Sequence, residues 1–203
     1  MNKLLPVGAF TALYMLLAIV AAVRTGNGEF VFYIVVMFIL IAGVMAVYRR
    51  AGLTVATLWA LAVWGLLHMA GGLVPVPESW PINGDIRVLY SWWLIPDLLK
   101  YDHVVHAYGF GVTTWVCWQG LCGAVGPRRP TFGTMVLCAA AGLGFGALNE
   151  VVEFIATLLT DTNVGGYVNT GWDLVANTAG ATIAATLIYI THRTGDHATP
   201  SSP

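Results

Sequence analysis

The hydrophobic residues of this chain of 203 residues fall into long runs that are separated by mostly short polar connections. A membrane-spanning α-helix needs about 20 consecutive, mostly apolar residues. Six stretches meet that requirement, at 4–23, 30–48, 52–74, 101–125, 132–159 and 172–191. Because these runs lack the alternation of membrane β-strands, the pattern predicts an all-α, polytopic membrane helix bundle with about six transmembrane helices.

The connection between the third and fourth predicted helices, residues 75–100, is the longest one. It contains Pro75, Pro77, Pro81 and Pro96, which interrupt regular structure, together with Trp80, Trp92 and Trp93. Tryptophan prefers the headgroup level of a membrane. We therefore expect an interfacial loop with a short helix that lies on the membrane and covers one end of the bundle.

The domain organisation predicted from this pattern is a single transmembrane domain, residues 1–193, followed by a flexible C-terminal tail, residues 194–203. Lys3 and the apolar run behind it resemble the start of a signal peptide. The run up to Val23 is long enough to span, however, and we interpret it as the first helix of the bundle.

The composition agrees with a lipid-embedded chain, since 58% of the residues are hydrophobic and only 9% are charged. Ordinary soluble domains carry about 25% charged residues. No basic tract or nucleic-acid-binding motif is present, which excludes nucleic acid as an expected partner. The lipid bilayer is the expected partner, and a homo-oligomer or a second membrane protein stays open.

The cysteines and two of the glycines in the predicted spans are best explained by structural roles. Cys117, Cys122 and Cys138 are odd in number and irregularly spaced, which argues against a disulfide framework and favours small buried hydrophobic residues. Gly142 and Gly146 form a pattern typical of close packing between membrane helices.

The orientation follows from the positions of Lys and Arg, which are enriched in cytoplasmic loops. One side of the predicted bundle has six of them, Lys3, Arg49, Arg50, Arg128, Arg129 and Arg193, and the other side has three, Arg24, Arg87 and Lys100. This distribution predicts that both termini lie in the cytoplasm.

Ionisable side chains gather at the outer end of four predicted helices. They are His68 on the third, Asp102, His103 and His106 on the fourth, Glu150 and Glu153 on the fifth, and Asp173 with Asn177 on the sixth. The spacings of three or four residues place the members of each pair on one helix face. We therefore expect the helices to direct these side chains into a single site.

Such a cluster is costly, because a charged side chain within a span costs about 2.5–3.5 kcal/mol on insertion scales. Either some carboxyl groups hold protons, or one or two divalent cations neutralise them. Carboxylate and imidazole together suit iron, manganese or zinc. The predicted metal ligands are Asp102, His106, Glu150, Glu153 and Asp173, with His68 and His103 as additional ligands or proton carriers and with Asn149 and Asn177 as supporting residues.

Structural explanations exist for single members of this set. His68 is compatible with an ordinary helix-end histidine, and Asp102 and Asp173 with simple helix N-caps. Asn177 could serve only as a hydrogen-bonding residue between helices, and Asn149 could orient Glu150 or Glu153.

Four segments, in this order and spacing, resemble the YjdF-type bacterial inner-membrane proteins, a family of unknown function. They are His68-Met-Ala-Gly-Gly, Tyr-Asp102-His-Val-Val-His106, Asn-Glu150-Val-Val-Glu153-Phe and Gly-Trp-Asp173-Leu-Val-Ala-Asn177-Thr-Ala-Gly-Ala, within residues 68–181. A more distant similarity exists to the VanZ-like membrane proteins. The resemblance implies that Asp102, His106, Glu150, Glu153 and Asp173 are the polar positions of the family.

The chain departs from that resemblance at two positions. Family members often have an aspartate where this chain has Asn169, and His103 has no counterpart in the family pattern. The resemblance implies no reaction.

Three functions remain open from the sequence. The leading hypothesis is an outward-facing metal site that catalyses hydrolysis or oxidation of a lipid or lipophilic substrate. The alternatives are a proton-coupled carrier of small molecules, in which the buried acids load and release protons, and a non-catalytic accessory subunit of a membrane complex.

Overall fold

The structure, a computed structural model, describes residues 3–126, 129–159 and 166–194, without the side chains of the last two. In this part of the chain six long helices form one bundle: α1 (Leu5–Thr25), α2 (Gly28–Ala51), α3 (Val55–Leu73), α4 (Tyr101–Val125), α5 (Phe132–Leu159) and α6 (Tyr167–Thr194). The predicted all-α bundle is confirmed. Five of the six helices are long and apolar enough to cross a membrane. The exception is α4, whose first two turns contain the ionisable residues Asp102, His103 and His106.

Local capping explains why the connections at the starts of α2 and α3 are short. Asn27 precedes α2 and its side chain accepts a hydrogen bond of 3.1 Å from the Phe30 N–H. Thr54 precedes α3 and accepts one of 3.2 Å from the Thr57 N–H. These side chains satisfy backbone donors that have no partner within the helix, so each helix begins immediately after a tight turn.

Helix α4 lies at the centre of the bundle, where it packs against α2, α3, α5 and α6, whereas α1 packs against α2 and α3. Helices α4 and α6 approach closely at Gly180, where an added Cβ would lie 1.9 Å from the Ala107 carbonyl oxygen. Gly142 and Gly146 of α5 lie against Thr114 and Asn177. The packing role predicted for these two glycines is confirmed.

The outer surface of the bundle is apolar. Leu13 and Leu17 on α1 are 57% and 60% exposed, and Phe132 on α5 is 78% exposed. Large exposed apolar surfaces of this kind are rare on soluble monomers, and they match helices that face lipid.

The connection from 74 to 100 folds back over the bundle, and we call the end that it covers the loop end and the opposite one the far end. It contains a three-residue 3-10 turn, Leu89–Ser91, and two antiparallel strands, β1 (Trp93–Ile95) and β2 (Leu99–Lys100). The short helix predicted for this segment is only the three-residue 3-10 turn, and the strand pair takes up most of the remaining connection. The Tyr90 ring packs on Gly71 of α3, which holds the connection against the loop end.

Helix α6 begins at Tyr167, five residues before the predicted start at 172. Residues 167–171 are less apolar than the rest of the span, so hydropathy alone excluded them. The predicted C-terminal tail lies outside the described residues from 195 onwards, and α6 occupies the positions before it.

Candidate functional site

The ionisable side chains of α4, α5 and α6 meet at the loop end. Six of them and the amide of Asn177 are buried, with at most 8% of their surface exposed: Asp102, His103, His106, Glu150, Glu153, Asp173 and Asn177. Among the described residues two groups of three have ligand atoms that lie within 4.8 Å of one another, Asp102 with His106 and Asp173, and His106 with Glu150 and Glu153. The five predicted ligands therefore form one cluster, which we call the carboxylate cluster.

His106 is shared by both groups and lies at the centre of the carboxylate cluster. Its Nε2 atom is 3.6 Å from Asp102 Oδ1 and 3.7 Å from Glu153 Oε1. Its Nδ1 atom is 3.7 Å from Glu150 Oε1 and 3.1 Å from Asn177 Oδ1. Three carboxylates from two helices thus surround one imidazole ring.

The contact with Asn177 defines which nitrogen of His106 carries the hydrogen. The amide oxygen of Asn177 can only accept, so Nδ1 donates the bond of 3.1 Å. In a neutral imidazole the other nitrogen then offers a lone pair. Nε2 faces the oxygens of Asp102 and Glu153, where it donates a hydrogen bond in the protonated ring or offers a lone pair to a cation in the neutral ring.

Each of three carboxylates is held by a polar neighbour. Asn149 Nδ2 donates to Glu153 Oε1 over 2.7 Å, which is the orienting role that was one of the predictions for Asn149. Asn169 Nδ2 donates to Asp173 Oδ2 over 2.6 Å. Hydrogen bonds of this kind fix the rotamers of ligating carboxylates.

Lys100 holds the third carboxylate, and its position corrects an expectation. The sequence places it at the edge of the predicted cluster, but it is 5% exposed, and its ammonium group lies 3.2 Å from Asp102 Oδ2. It also donates to Asn169 Oδ1. The strand β2 carries Lys100 back into the bundle, so that it bridges α4 and the first turn of α6.

Three oxygens of the cluster accept no hydrogen bond within the described part of the chain. They are both oxygens of Glu150 and Oδ1 of Asp173. A buried acceptor without a partner costs about 1–3 kcal/mol, and more when it is charged. These oxygens are therefore available to a cation or to a proton.

The helix bounds exclude the simple capping explanation for the two aspartates. Helix α4 begins at Tyr101, so Asp102 is its second residue, and its side chain pairs with Lys100 instead of a backbone donor. Helix α6 begins at Tyr167, so Asp173 lies in its second turn. Asn177, by contrast, makes the interhelical hydrogen bond that was expected of it.

The two remaining histidines lie outside the groups of ligand atoms just described. The Nδ1 atom of His68 is hydrogen-bonded to the Tyr90 hydroxyl, and its ring stacks on Trp64 with centroids 5.3 Å apart. The His103 ring stacks on Trp172 with centroids 5.9 Å apart. His68 and His103 are therefore neighbours of the cluster, and their predicted role as additional ligands has no support in this geometry.

Three residues near the cluster were not predicted from the sequence. Glu29 in the first turn of α2 is 5% exposed, and Tyr33, one turn further, lies within electrostatic range of Glu29 and Glu153. A signal for Glu29 existed, since it is an acid at the loop end of an apolar run. Tyr90 lies in the irregular connection, where no sequence pattern identifies it. Burial raises the pKa of its hydroxyl well above the ordinary value, and the negative charge of Asp102 raises this pKa further.

The far half of the bundle contains few polar side chains in the described ranges, and the hydrogen bonds they form go to one another or to the backbone. Thr114 donates to the Phe110 carbonyl oxygen, and Gln119 bonds with Thr54 and Thr57. Cys117, Cys122 and Cys138 are free thiols among apolar neighbours. This arrangement does not favour the carrier hypothesis, which needs polar groups through the whole membrane.

The family model described as "Predicted membrane protein (DUF2238)" matches residues 7–194 of the chain. The chain therefore belongs to the DUF2238 family of membrane proteins, in agreement with its resemblance to YjdF-type proteins of unknown function. No curated protein and no solved structure matches it.

Proposed function

We propose that this membrane protein binds one or two divalent transition-metal ions in the carboxylate cluster and uses them to activate water against a lipophilic substrate. His106, Asp102 and Glu153 are the primary ligands in this proposal. Glu150 and Asp173 complete the coordination or move protons. The proposal also retains the predicted outward-facing orientation of the loop end.

The observation that carries the proposal is the spacing around His106 Nε2. Its distances to Asp102 Oδ1 and Glu153 Oε1 are 3.6 and 3.7 Å. Hydrogen bonds between nitrogen and oxygen are shorter, about 2.7–3.2 Å. Two ligand atoms that each lie about 2.1 Å from one tetrahedral ion are roughly 3.4 Å apart. The separations therefore fit a shared ion better than direct hydrogen bonds.

The charge balance supports the same conclusion. Four buried carboxylates face one buried lysine, which leaves three negative charges uncompensated when all four are ionised and His106 is neutral. Uncompensated charges in a bilayer interior are strongly unfavourable. One divalent ion removes two of these charges, and a second ion or a proton removes the rest.

The donor set narrows the identity of the metal. One imidazole nitrogen and several carboxylate oxygens suit iron, manganese or zinc, whereas soft-metal sites require thiolates. The three cysteines are on α4 and α5, outside the carboxylate cluster. We therefore expect a site for iron, manganese or zinc.

The chemistry assigned to the site follows from the free oxygens. A divalent ion lowers the pKa of a bound water and makes it a nucleophile near neutral pH. Glu150, whose two oxygens accept no hydrogen bond among the described residues, would take the proton of that water in this proposal. Hydrolysis of an ester or phosphoester of a lipid is the reaction class that we propose for this site.

The first experiment is to measure metal content by mass spectrometry on protein purified in mild detergent from cells supplied with iron, manganese and zinc. The parent protein should contain about one transition-metal ion or more per chain, and His106→Ala and Glu153→Gln should lose it. Glu29→Gln is the matched control, because Glu29 is a buried carboxylate at the same end outside the ligand groups. It should retain the metal.

The second experiment separates binding from catalysis. Glu150→Gln should keep most of the metal but lose about 10²–10⁴-fold in the metal-dependent hydrolysis of ester lipids in reconstituted vesicles. If the folded parent contains no more metal than His106→Ala, the metal site is refuted. If metal is bound but no ester is cleaved, the metal site stands and the hydrolytic role is refuted.

A further inference from the structure

A hydrogen bond joins Tyr90, in the 3-10 turn of the connection, to His68 near the loop end of α3. It runs between the Tyr90 hydroxyl and His68 Nδ1. The hydroxyl hydrogen has no other acceptor within the described part of the chain, and buried polar groups are rarely left without a partner. Tyr90 therefore donates and Nδ1 accepts, which places the hydrogen of the neutral imidazole on Nε2.

This tyrosine–histidine pair lies beside the carboxylate cluster. The turn that contains Tyr90 packs against both α3 and α4. The Tyr90 ring contacts that of Tyr101 with centroids 6.1 Å apart, and Tyr101 directly precedes Asp102. Both members of the pair lie within electrostatic range of Asp102, and His68 also lies within range of His106. The pair is therefore a neighbour of the proposed metal ligands.

Aromatic rings surround the pair. The Trp64 indole stacks on the His68 ring with centroids 5.3 Å apart, and the Tyr33 ring meets it at 5.8 Å. Tyr90 is only 6% exposed, and its ring packs so closely on Gly71 that an added Cβ there would lie 2.6 Å from it. These contacts keep bulk water away from the Tyr90 hydroxyl.

The buried position determines how Tyr90 can be oxidised. Burial raises the pKa of its hydroxyl well above the ordinary value, so the hydroxyl keeps its proton at neutral pH. A phenol that loses an electron becomes a strong acid and must pass its proton to a base. The base already in contact with the hydroxyl is His68 Nδ1.

We propose that Tyr90 is a redox-active residue that gives one electron to a metal ion in the carboxylate cluster while His68 receives its proton. The oxidant is an iron or manganese ion that a peroxide or dioxygen has raised to the trivalent state, so this inference rests on the proposed function. As the electron leaves, the O–H bond of Tyr90 breaks and an N–H bond forms at His68 Nδ1. The products are a divalent metal ion, a neutral tyrosine radical and an imidazolium ion. When Tyr90 is reduced again, the proton returns along the same hydrogen bond.

This step adds a one-electron activity to the site, which hydrolysis does not use. It requires no opening between the pair and the surface, because the proton moves within an existing hydrogen bond and only an electron passes to the cluster. It also distinguishes the expected metals, since zinc has no redox chemistry in proteins, whereas iron supports one-electron reactions with oxygen. If the hydrogen bond only anchors the connection to α3, no such step occurs.

The test compares two metals in otherwise identical protein. Detergent-purified, metal-stripped protein is loaded with manganese(II) or zinc, the metal content is verified by mass spectrometry, and hydrogen peroxide is added. The radical is followed by stopped-flow absorption and assigned by electron paramagnetic resonance on protein with ring-deuterated tyrosine. The manganese form should produce a tyrosine radical, and the zinc form should produce none.

Three variants locate the radical. Tyr90→Phe keeps the ring that packs on Gly71 and should lose the signal. His68→Gln keeps an acceptor for the hydroxyl, but its amide is a far weaker base than imidazole, so the amount of radical should fall about ten-fold or more.

Tyr33→Phe is the matched control. The Tyr33 ring meets the His68 ring at the same centroid distance as the Tyr90 ring, 5.8 Å. Its hydroxyl, however, has no hydrogen-bond partner among the described residues. This variant should form the radical as the parent does. All three variants should bind manganese like the parent, because none of these residues belongs to the ligand groups.

Each outcome decides the proposal. If the manganese-loaded parent forms no tyrosine radical, if the zinc form produces the same radical, or if Tyr90→Phe retains it, the redox role of Tyr90 is overturned while the metal site stands. If His68→Gln forms as much radical as the parent, His68 is not the proton acceptor. If the parent takes up no more metal than His106→Ala, the metal site and the redox step fail together.

Discussion

Replacing Asn177 tests whether the hydrogen bond behind His106 prepares this histidine for metal binding. Asn177 Oδ1 lies 3.1 Å from His106 Nδ1, and Asn177 is completely buried. In Asn177→Leu a side chain of nearly the same shape removes the acceptor. Water cannot replace it without a cavity, so the ring loses the group that selects its tautomer and its orientation.

The expected magnitude follows from the role of such supporting acceptors. Removing one typically costs 10–100-fold in metal affinity, which corresponds to about 1.4–2.7 kcal/mol. Because the bond is buried, we expect the upper part of this range. Asn177→Asp is the matched control, since it keeps an acceptor at the same position and adds negative charge near the ion, and it should bind metal at least as tightly as the parent.

The assay is a competition between detergent-purified protein and a fluorescent chelator for zinc or manganese. Tryptophan fluorescence and size-exclusion chromatography verify that both variants are folded. Equal metal affinity of Asn177→Leu and the parent would refute the supporting role of Asn177. Weaker binding by Asn177→Asp than by Asn177→Leu would show that the position acts through charge or packing and not through the hydrogen-bonded histidine.

Three further predictions follow from the same geometry. Lys100→Met should raise the affinity of the cluster for divalent metal, because the ammonium group 3.2 Å from Asp102 competes with a cation. The same variant should lower the thermal stability of the metal-free protein, because the ammonium group compensates the charge of the carboxylates. Unchanged metal affinity in the chelator assay would contradict this prediction. The amount of bound metal should decrease as the pH falls from neutral towards about pH 5, because the imidazole and carboxylate ligands must be deprotonated to bind it. Metal that stays bound after dialysis at the lower pH would contradict a carboxylate–histidine site. Gly180→Ala should destabilise the protein by about 1–3 kcal/mol, because the added Cβ would lie 1.9 Å from the Ala107 carbonyl oxygen. Gly144→Ala is the control and should be neutral or stabilising, because a Cβ added there has no atom within 4 Å. Similar thermal midpoints for the two variants would refute the close contact of α4 and α6.

The sequence predicts the helices and the end of the bundle at which the polar residues lie because both depend on local patterns. Apolar runs of about 20 residues identify the spans, and spacings of three and four place Asp102 with His106 and Glu150 with Glu153 on single faces. The alternation of inward and outward helices then brings these faces to one end. Their meeting in one cluster, by contrast, depends on which helices are neighbours in the bundle.

The sequence fails where the structure depends on contacts between distant segments. The early start of α6 is accompanied by the hydrogen bonds of Asn169 to Lys100 and Asp173, which hydropathy does not measure. The burial of Lys100 depends on the strand pair that returns the connection to the bundle. Glu29 was missed because an acid in the first turn of a helix is commonly explained by the helix dipole alone.

Glycine packing and the carboxylate cluster are parts of one arrangement. Gly146 lies one turn before Glu150 and against Asn177, while Gly180 lies one turn after Asn177 and against Ala107, the neighbour of His106. Small residues allow helix backbones to approach closely in a membrane. At a larger separation of α4 and α6, a hydrogen bond of 3.1 Å between His106 and Asn177 could not form without longer side chains. The close contacts therefore bring the ligands together, and van der Waals packing along α4 offsets part of the cost of gathering four carboxylates within the membrane. On this reasoning, Gly180→Ala should lower metal affinity as well as stability, although the glycine itself has no atom that could bind a metal.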